Sequence, residues 1–331
     1  MVRALVTGGA GFIGSHLTDH LVASGYDVSV LDDFSSGRRE YLAEAQNSGH
    51  LKVYEGSILS ADDISLAISG CDIVFHLAVR SVRHSIGNPI ENHHINATGT
   101  LNVLEAARRA GVRRLIYCSS SEVYGNALDA IMIEDKTVCL PVTVYGGSKL
   151  AGEYYAAAYH QTYGLPTVIV RPFNAYGPRS HVHGQSGEVI PRFAARILNG
   201  QRPIIFGDGS HSRDFTFVTE IAQGIARAGK AERVLGKVVN VAFGSAVSIL
   251  DVSRAISDVC GRSDIVPEFR APRPGDVIAL HASVERCRDL LGFKPEIELR
   301  DGLTRYINWL RDTVNDFTTL LDEEQINWQE L

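Results

Sequence analysis

Through the first half of the chain, apolar residues fall into short runs separated by longer stretches of helical spacing. Ala4-Leu5-Val6, Val28-Ser29-Val30-Leu31, Leu51-Lys52-Val53-Tyr54, Ile73-Val74-Phe75-His76-Leu77, Leu115-Ile116-Tyr117-Cys118 and Thr167-Val168-Ile169-Val170 read as six strands. Phe12 to Ser24, Asn96 to Arg109 and Ser148 to Tyr163 read as helices, with Leu101, Leu104 and Ala107 of the second on one face. Strands alternating with helices of this length build βαβ units around a parallel sheet. The predicted fold is α/β, a Rossmann-type doubly wound sheet that places ligands at the carboxyl ends of its strands.

After Arg171-Pro172 the pattern loosens. Gly, Pro and polar residues punctuate 172–190, Arg202-Pro203 and 271–275, which predicts a smaller, loop-rich lobe interleaved with the sheet. Within it, Asp214 to Val218 and Val238 to Ala242 read as strands that return to the main sheet. The last twenty residues, acidic with scattered apolar positions, predict a terminal helix packed on the surface.

Composition narrows the class only slightly. The 331 residues are 45% hydrophobic and 21% charged, enough to bury a large core in one domain or two closely connected ones. A net charge of -6 lacks the basic excess of a general nucleic-acid binder. The chain has no apolar run long enough for a membrane span and no basic-then-apolar leader, so a soluble, cytoplasmic protein with no membrane partner is expected. Cys71, Cys118, Cys139, Cys260 and Cys287 are widely spaced and read as buried thiols in a reducing compartment. His93-His94 and His181-x-His183 have no Cys or acid at metal-ligand spacing, so no metal site is expected.

The chemistry begins at Val6-Thr7-Gly8-Gly9-Ala10-Gly11-Phe12-Ile13-Gly14. The run Gly9-x-Gly11-x-x-Gly14 sits between a strand and a helix. Glycines there allow a sharp turn, a close approach to a pyrophosphate, and helix-on-strand packing, with the phosphates at the helix amino end. The second strand closes on Asp32-Asp33, at the distance expected of an acid that grips a ribose. A carboxylate at Asp32 accepts from free hydroxyls and repels a 2′-phosphate, so NAD is expected over NADP. Residues 1–172 then form an NAD-binding domain with returning strands near 214–243, and residues 173–331 are mainly a substrate lobe. Farther on, Tyr145-x-x-x-Lys149 puts a phenol and an ammonium on one helix face. The ammonium and a nicotinamide cation favour the phenolate, a proton acceptor for a sugar hydroxyl.

With these motifs, the chain resembles the extended short-chain dehydrogenase/reductases, specifically the nucleotide-sugar epimerase/dehydratase/decarboxylase family. The likeness is carried by the glycine loop, His76-Leu77-Ala78, Ser119 to Gly125, Tyr145 to Lys149, Arg171 to Arg179, Arg213-Asp214-Phe215 and Arg273-Pro274-Gly275-Asp276. It implies a tightly bound NAD that oxidises C4 of a sugar on a nucleoside diphosphate, most commonly UDP. It implies Tyr145 as base, Lys149 as its partner on the nicotinamide ribose, and Ser120 as a hydrogen-bond partner of the C4 oxygen. Cofactor positions implied with them are Gly8, Gly11, Phe12, Ile13, Gly14, Asp32, Ser57, Ile58, Leu77, Ala78, Ser119 and Pro172. Substrate positions are Arg80, Arg83, Ser121, Asn174, Arg179, Val189, Ile204, Phe206, Arg213, Arg273 and Asp276. Ser57 departs from the Asp usual in the adenine pocket. Family members commonly dimerise through two helices, here near Asn96 to Arg109 and Ser148 to Tyr163, so a homodimer is expected.

Three reactions stay open. Glu122 stands where epimerases carry a small or neutral residue and where dehydratases and hexuronate decarboxylases carry Glu, so it is taken as catalytic. Ser121 replaces the Asp that serves deoxythymidine-linked glucose dehydratases as the acid for the departing C6 hydroxyl. Arg80, Arg83 and His84 border the sugar in the family and suit a second anionic group such as a C6 carboxylate. Against this, the segment Ala279 to Ser283 lacks the arginine of family decarboxylases, a place that His281, Arg80 or Arg83 would have to fill. The preferred expectation is decarboxylation of UDP-glucuronate, with a 4-epimerase and a 4,6-dehydratase as alternatives. A non-catalytic NAD-binding regulator is the remote one, since Ser120, Tyr145 and Lys149 are all present.

Overall fold

The computed structural model describes residues 1–127, 129–181, 188–272 and 277–321. Seven parallel strands form the main sheet: β1 (Arg3–Thr7), β2 (Asp27–Asp32), β3 (Leu51–Glu55), β4 (Ile73–His76), β5 (Arg114–Cys118), β6 (Thr167–Pro172) and β7 (Val238–Val241), in the order β7-β6-β5-β4-β1-β2-β3. The order reverses direction between β1 and β4, so the loops after these strands part and leave a crevice at their carboxyl ends.

β4, β5 and β6 are buried along their whole length because helices cover both faces, which is why they read as unbroken apolar runs. On one face Val6, Val30, Phe75 and Ile116 pack against Leu17 and Leu21 of α1 (Phe12–Ala23). On the other, Leu5, Leu31, Val74 and Leu115 meet Ile64 of α2 (Ala61–Ile68), Leu104 of α3 (Gly99–Ala110) and Ala156 of α4 (Val144–Tyr163). Alternate residues of each strand thus serve opposite cores. α4 begins where the Thr143 hydroxyl accepts the Gly146 N–H at 3.1 Å, one turn earlier than the spacing predicts.

A third core lies outside the sheet, where α5 (Val189–Leu198), α7 (Ile249–Cys260) and α8 (Leu299–Thr313) enclose Phe193, Ile256, Tyr306 and Leu310. Helix α6 (Val218–Ala228) lies instead on the main sheet, through Ile221 and Ile225. Of the two strands expected to return, only Val238–Val241 does. Ser212–Asp214 instead lies in a separate three-stranded sheet with Ala246–Ser248 and Ala279–Leu280, and Thr216–Phe217 pairs with Ala175–Tyr176. The reason is Asp214: fully buried, its carboxylate accepts the N–H groups of Phe243, Gly244 and Ala282 and folds this segment onto the loops. After α8 a short 3₁₀ turn covers Phe317–Leu320; the rest of the expected terminal helix, 322–331, lies outside the described residues. Among the described residues no helix is long and apolar enough to cross a membrane.

Candidate active site

The carboxyl ends of the strands open into a cavity of about 1080 Å³. That exceeds the roughly 300–1,000 Å³ that encloses one drug-sized ligand, and suits two ligands side by side. At one end lies the glycine loop. Gly8 has φ +70°, and a Cβ there would stand 2.7 Å from the Ala78 backbone. A Cβ on Gly14 would stand 2.0 Å from the Gly8 carbonyl oxygen. No side chain caps α1 at Gly11, so its first N–H groups face the cavity mouth. This is a cradle that any Cβ would fill, and it fits a diphosphate.

Asp32 is buried at the edge of this cradle, accepting the N–H groups of Ala10 and Phe34 at 2.9 Å each. Burial raises its pKa, and the two backbone donors oppose that. Phe12, Ile13, Ser57, Ile58, Leu77, Ala78 and Pro172 line the same cavity. The Ser57 hydroxyl accepts the Leu59 N–H at 3.1 Å. Leu77 and Ala78 are held from below: both donate N–H to the Thr7 hydroxyl, which lies 2.7 Å from His76 Nδ1. His76 Nε2 lies 3.0 Å from the Thr100 hydroxyl, which donates to the Asn96 carbonyl. With Thr7 accepting twice and Thr100 donating onward, the proton sits on Nε2. Burial drives the His76 pKa down to about 3 and keeps the ring neutral.

The reacting groups come from β5 and α4. A 3₁₀ turn at Ser121–Val123 packs so closely on α4 that a Cβ at Gly146 would lie 2.7 Å from the Glu122 carbonyl oxygen. Ser119, Ser120, Ser121, Glu122, Tyr145 and Lys149 all line the cavity. Burial pushes the Tyr145 phenol up, and a hydrogen bond with Ser120 pulls it down. Lys149 donates to the Cys118 carbonyl at 2.8 Å, and burial lowers its ammonium to about 8. Behind them, Ser119 donates to Glu153, which takes a bidentate pair from Arg171 at 2.8 and 2.6 Å, both residues about 95% buried. A phenol, a serine hydroxyl and an ammonium facing one cavity can remove a proton from a bound alcohol.

The far end holds the lobe's contribution. Arg83, Asn174, Val189 and Arg213 line the cavity, and Asn174 Oδ1 is buried with no partner of its own. Arg80 lines it too, but pairs with Asp33 at 3.5 Å, Glu91 at 3.3 Å and Ser35, close to Asp32. Arg179, in a left-handed backbone conformation at φ +66°, pairs with Asp19 at 2.6 Å and is not among the lining residues. Neither are Ile204 and Phe206, whose strand pairs with Glu268–Arg270. His281 also stays outside, 3.1 Å from the Gly244 carbonyl. Arg273 and Asp276 lie outside the described residues, as does His183. Among the described residues no cluster of His, Cys, Asp and Glu could hold a metal.

One group escaped the sequence reading. Glu188, the residue before α5, lines the cavity, and burial raises its carboxyl to about 7 against the pull of Arg83. It belongs to no motif; the available signal was an acid directly ahead of an amphipathic helix.

Comparison with known proteins agrees with this geometry. A model of the NAD dependent epimerase/dehydratase family matches residues 4–242. The chain is 38% identical to the UDP-glucose 4-epimerase of Mycolicibacterium smegmatis over 94% of its own length and 99% of that protein's. It is 32% identical to the UDP-N-acetyl-alpha-D-glucosaminuronate decarboxylase of Bacillus cytotoxicus, over 95% and 99%. Among solved structures, the dTDP-glucose 4,6-dehydratase of Streptomyces venezuelae with NAD bound superposes with a TM-score of 0.89 at 31% identity, over 97% of this chain and 100% of that one. A glycine cradle shaped for a dinucleotide and agreement along the whole chain lead to one conclusion: the protein belongs to the NAD-dependent epimerase/dehydratase family and is an NAD-dependent enzyme.

Proposed function

We propose that the enzyme acts on a nucleoside-diphosphate hexose, oxidises its C4 hydroxyl, and eliminates water across C5 and C6. The observation that carries this reading is Glu122, a carboxylate lining the cavity and close enough to Tyr145 for its charge to act on the phenol. NAD, when bound, supplies the reversible hydride acceptor. Gly8, Gly11 and Gly14 would hold its diphosphate, Asp32 its ribose, and Lys149 its nicotinamide end. Tyr145 takes the C4 hydroxyl proton, with Ser120 hydrogen-bonded to it, while the Lys149 ammonium donates to the Cys118 carbonyl. The resulting ketone acidifies C5–H, and Glu122 removes that proton. Asn174 and Arg213 would meet the diphosphate, the arginine by charge-assisted hydrogen bonds.

The hexuronate reading has less support from this geometry. Arg80 is engaged by Asp33 and Glu91, His281 by a carbonyl, and a C6 carboxylate would face both Glu122 and Glu188, with Arg83 as the basic residue on that side of the cavity. A second reading, a 4-epimerase, is favoured by the 38% identity to the mycobacterial enzyme. The Glu122→Gln variant separates the two: water loss falls by about 10²–10⁴-fold while the bound NAD is still reduced on adding substrate, whereas C4 inversion would slow only mildly. We also propose a homodimer built on α3 and α4, whose Leu101, Tyr154 and Tyr163 stand exposed.

A further inference from the structure

Elimination needs an acid as well as a base. Hydroxide is a poor leaving group, so the C6 oxygen must receive a proton as its bond to carbon breaks. Ser121, beside Glu122, offers only a hydroxyl, too weak an acid for the task. Among the described residues that line the cavity, Asp32 and Asp33 lie at the cofactor end and Glu91 is paired with Arg80 and His84, which leaves Glu188 as the carboxyl besides Glu122. Glu188 reaches the cavity from the opposite lobe, at the amino end of α5, where its own carbonyl accepts the Arg192 N–H at 3.1 Å and its N–H donates to the His181 carbonyl at 3.4 Å.

We propose that Glu188 is the general acid that protonates the departing C6 hydroxyl, an inference that rests on the dehydratase reading above. Three observations place it there. Glu188, Glu122 and Tyr145 line one cavity, and both carboxylates act on the charge of the Tyr145 phenol. The same cavity holds the buried, partnerless Asn174 Oδ1, a mark of a ligand seated between the lobes. And Glu188 is held partly protonated at neutral pH, its carboxyl near 7, where an acid both carries a proton and releases it readily. Among the described residues, the charged and titratable groups that bear on it are Arg83, from the helix Val82–Gly87, Tyr145 of α4, and Tyr306 of α8.

The step balances as follows. Glu122 takes the proton from C5, the C5–H electron pair forms the C5=C6 bond, and the C6–O bond breaks. Glu188 gives its proton to that oxygen, and water leaves. With bound NAD supplying to C6 the hydride taken from C4, Glu122 would return its proton to C5, leaving a 4-keto-6-deoxy sugar. Glu188 regains a proton from solvent as Tyr145 releases the one it took from C4.

The test is Glu188→Gln beside Glu188→Asp, each with UDP-glucose and dTDP-glucose as probes. Three readouts are followed: reduction of bound NAD, deuterium exchange from solvent into C5, and water loss by mass spectrometry across pH. In Glu188→Gln, NAD reduction and C5 exchange persist, which also shows the variant is folded. Water loss drops by about 10²–10⁴-fold, and the loss of activity above pH 7 disappears; Glu188→Asp restores part of the rate. Water loss within threefold of wild type, with the same pH profile, overturns the assignment of Glu188 alone. A wild-type enzyme that inverts C4 without losing water overturns the dehydratase reading, and this inference with it.

Discussion

Above about pH 4.5 the Glu188 carboxyl is ionised in the unfolded chain, but in the folded protein it keeps its proton until about pH 7. The folded state therefore binds more protons than the unfolded one between these values, and stability falls as pH rises through that window. Replacing Glu188 by Gln removes the penalty. Thermal melts should show Glu188→Gln with a higher Tm than wild type at about pH 8 and nearly the same Tm at about pH 4.5; a lower Tm at both would contradict the shift. Tyr145 bears on the first step. Tyr145→Phe should slow reduction of bound NAD by about 10²–10⁴-fold while the protein still carries NAD after purification. At this scale the candidate site was unevenly legible. Gly8, Gly14, Asp32, Ser120, Tyr145 and Lys149 announce themselves because each must occupy a fixed place beside a strand end or on one helix turn. Glu188 does not, because its role depends on a lobe folding across the sheet, which local spacing does not encode. Arg179 is placed away from the cavity for the opposite reason: an arginine near the right loop reaches whichever carboxylate lies closer, here Asp19, while Arg80 lines the cavity and pairs with Asp33 and Glu91.

Among the elements, long buried strands and their helices were read to within a few residues, since a strand covered on both faces must be apolar throughout. The short strands of the second lobe were not. Two or three residues at Ser212–Asp214 and Thr216–Phe217 carry no periodicity that could choose a partner strand, and the buried Asp214 decides their place. The α1 loop makes a sharp prediction. Gly14→Ala would put a methyl 2.0 Å from the Gly8 carbonyl, so the cradle must open. The variant should purify with much less NAD than wild type, as read by absorbance after denaturation. The β6–α4 contact makes another. Glu153→Gln leaves the Arg171 guanidinium buried without its counter-charge, a loss of about 3–5 kcal/mol. Equilibrium unfolding in urea measures it, and a change below about 1 kcal/mol would contradict the pairing.

For the molecule as a whole, the proposed function would divide the reaction between two parts of the chain. The strand ends of the sheet would carry the cofactor cradle and the C4 chemistry, while Asn174, Glu188, Val189 and Arg213 line the cavity from the segments beyond Pro172. The motifs made an NAD-dependent nucleotide-sugar family readable, and not the fate of the sugar. The later step is set by side chains from different lobes meeting across the cavity. In solution the protein should sediment as a dimer, and Tyr154→Arg on the exposed face of α4 should shift it to monomer. The most direct test of the account is mass spectrometry of the products formed by wild-type enzyme from UDP-glucose, dTDP-glucose and UDP-glucuronate. Loss of one water from a neutral hexose, with the glucuronate untouched, is the predicted result. A product of unchanged mass with inverted C4, or loss of carbon dioxide from the glucuronate, would contradict it.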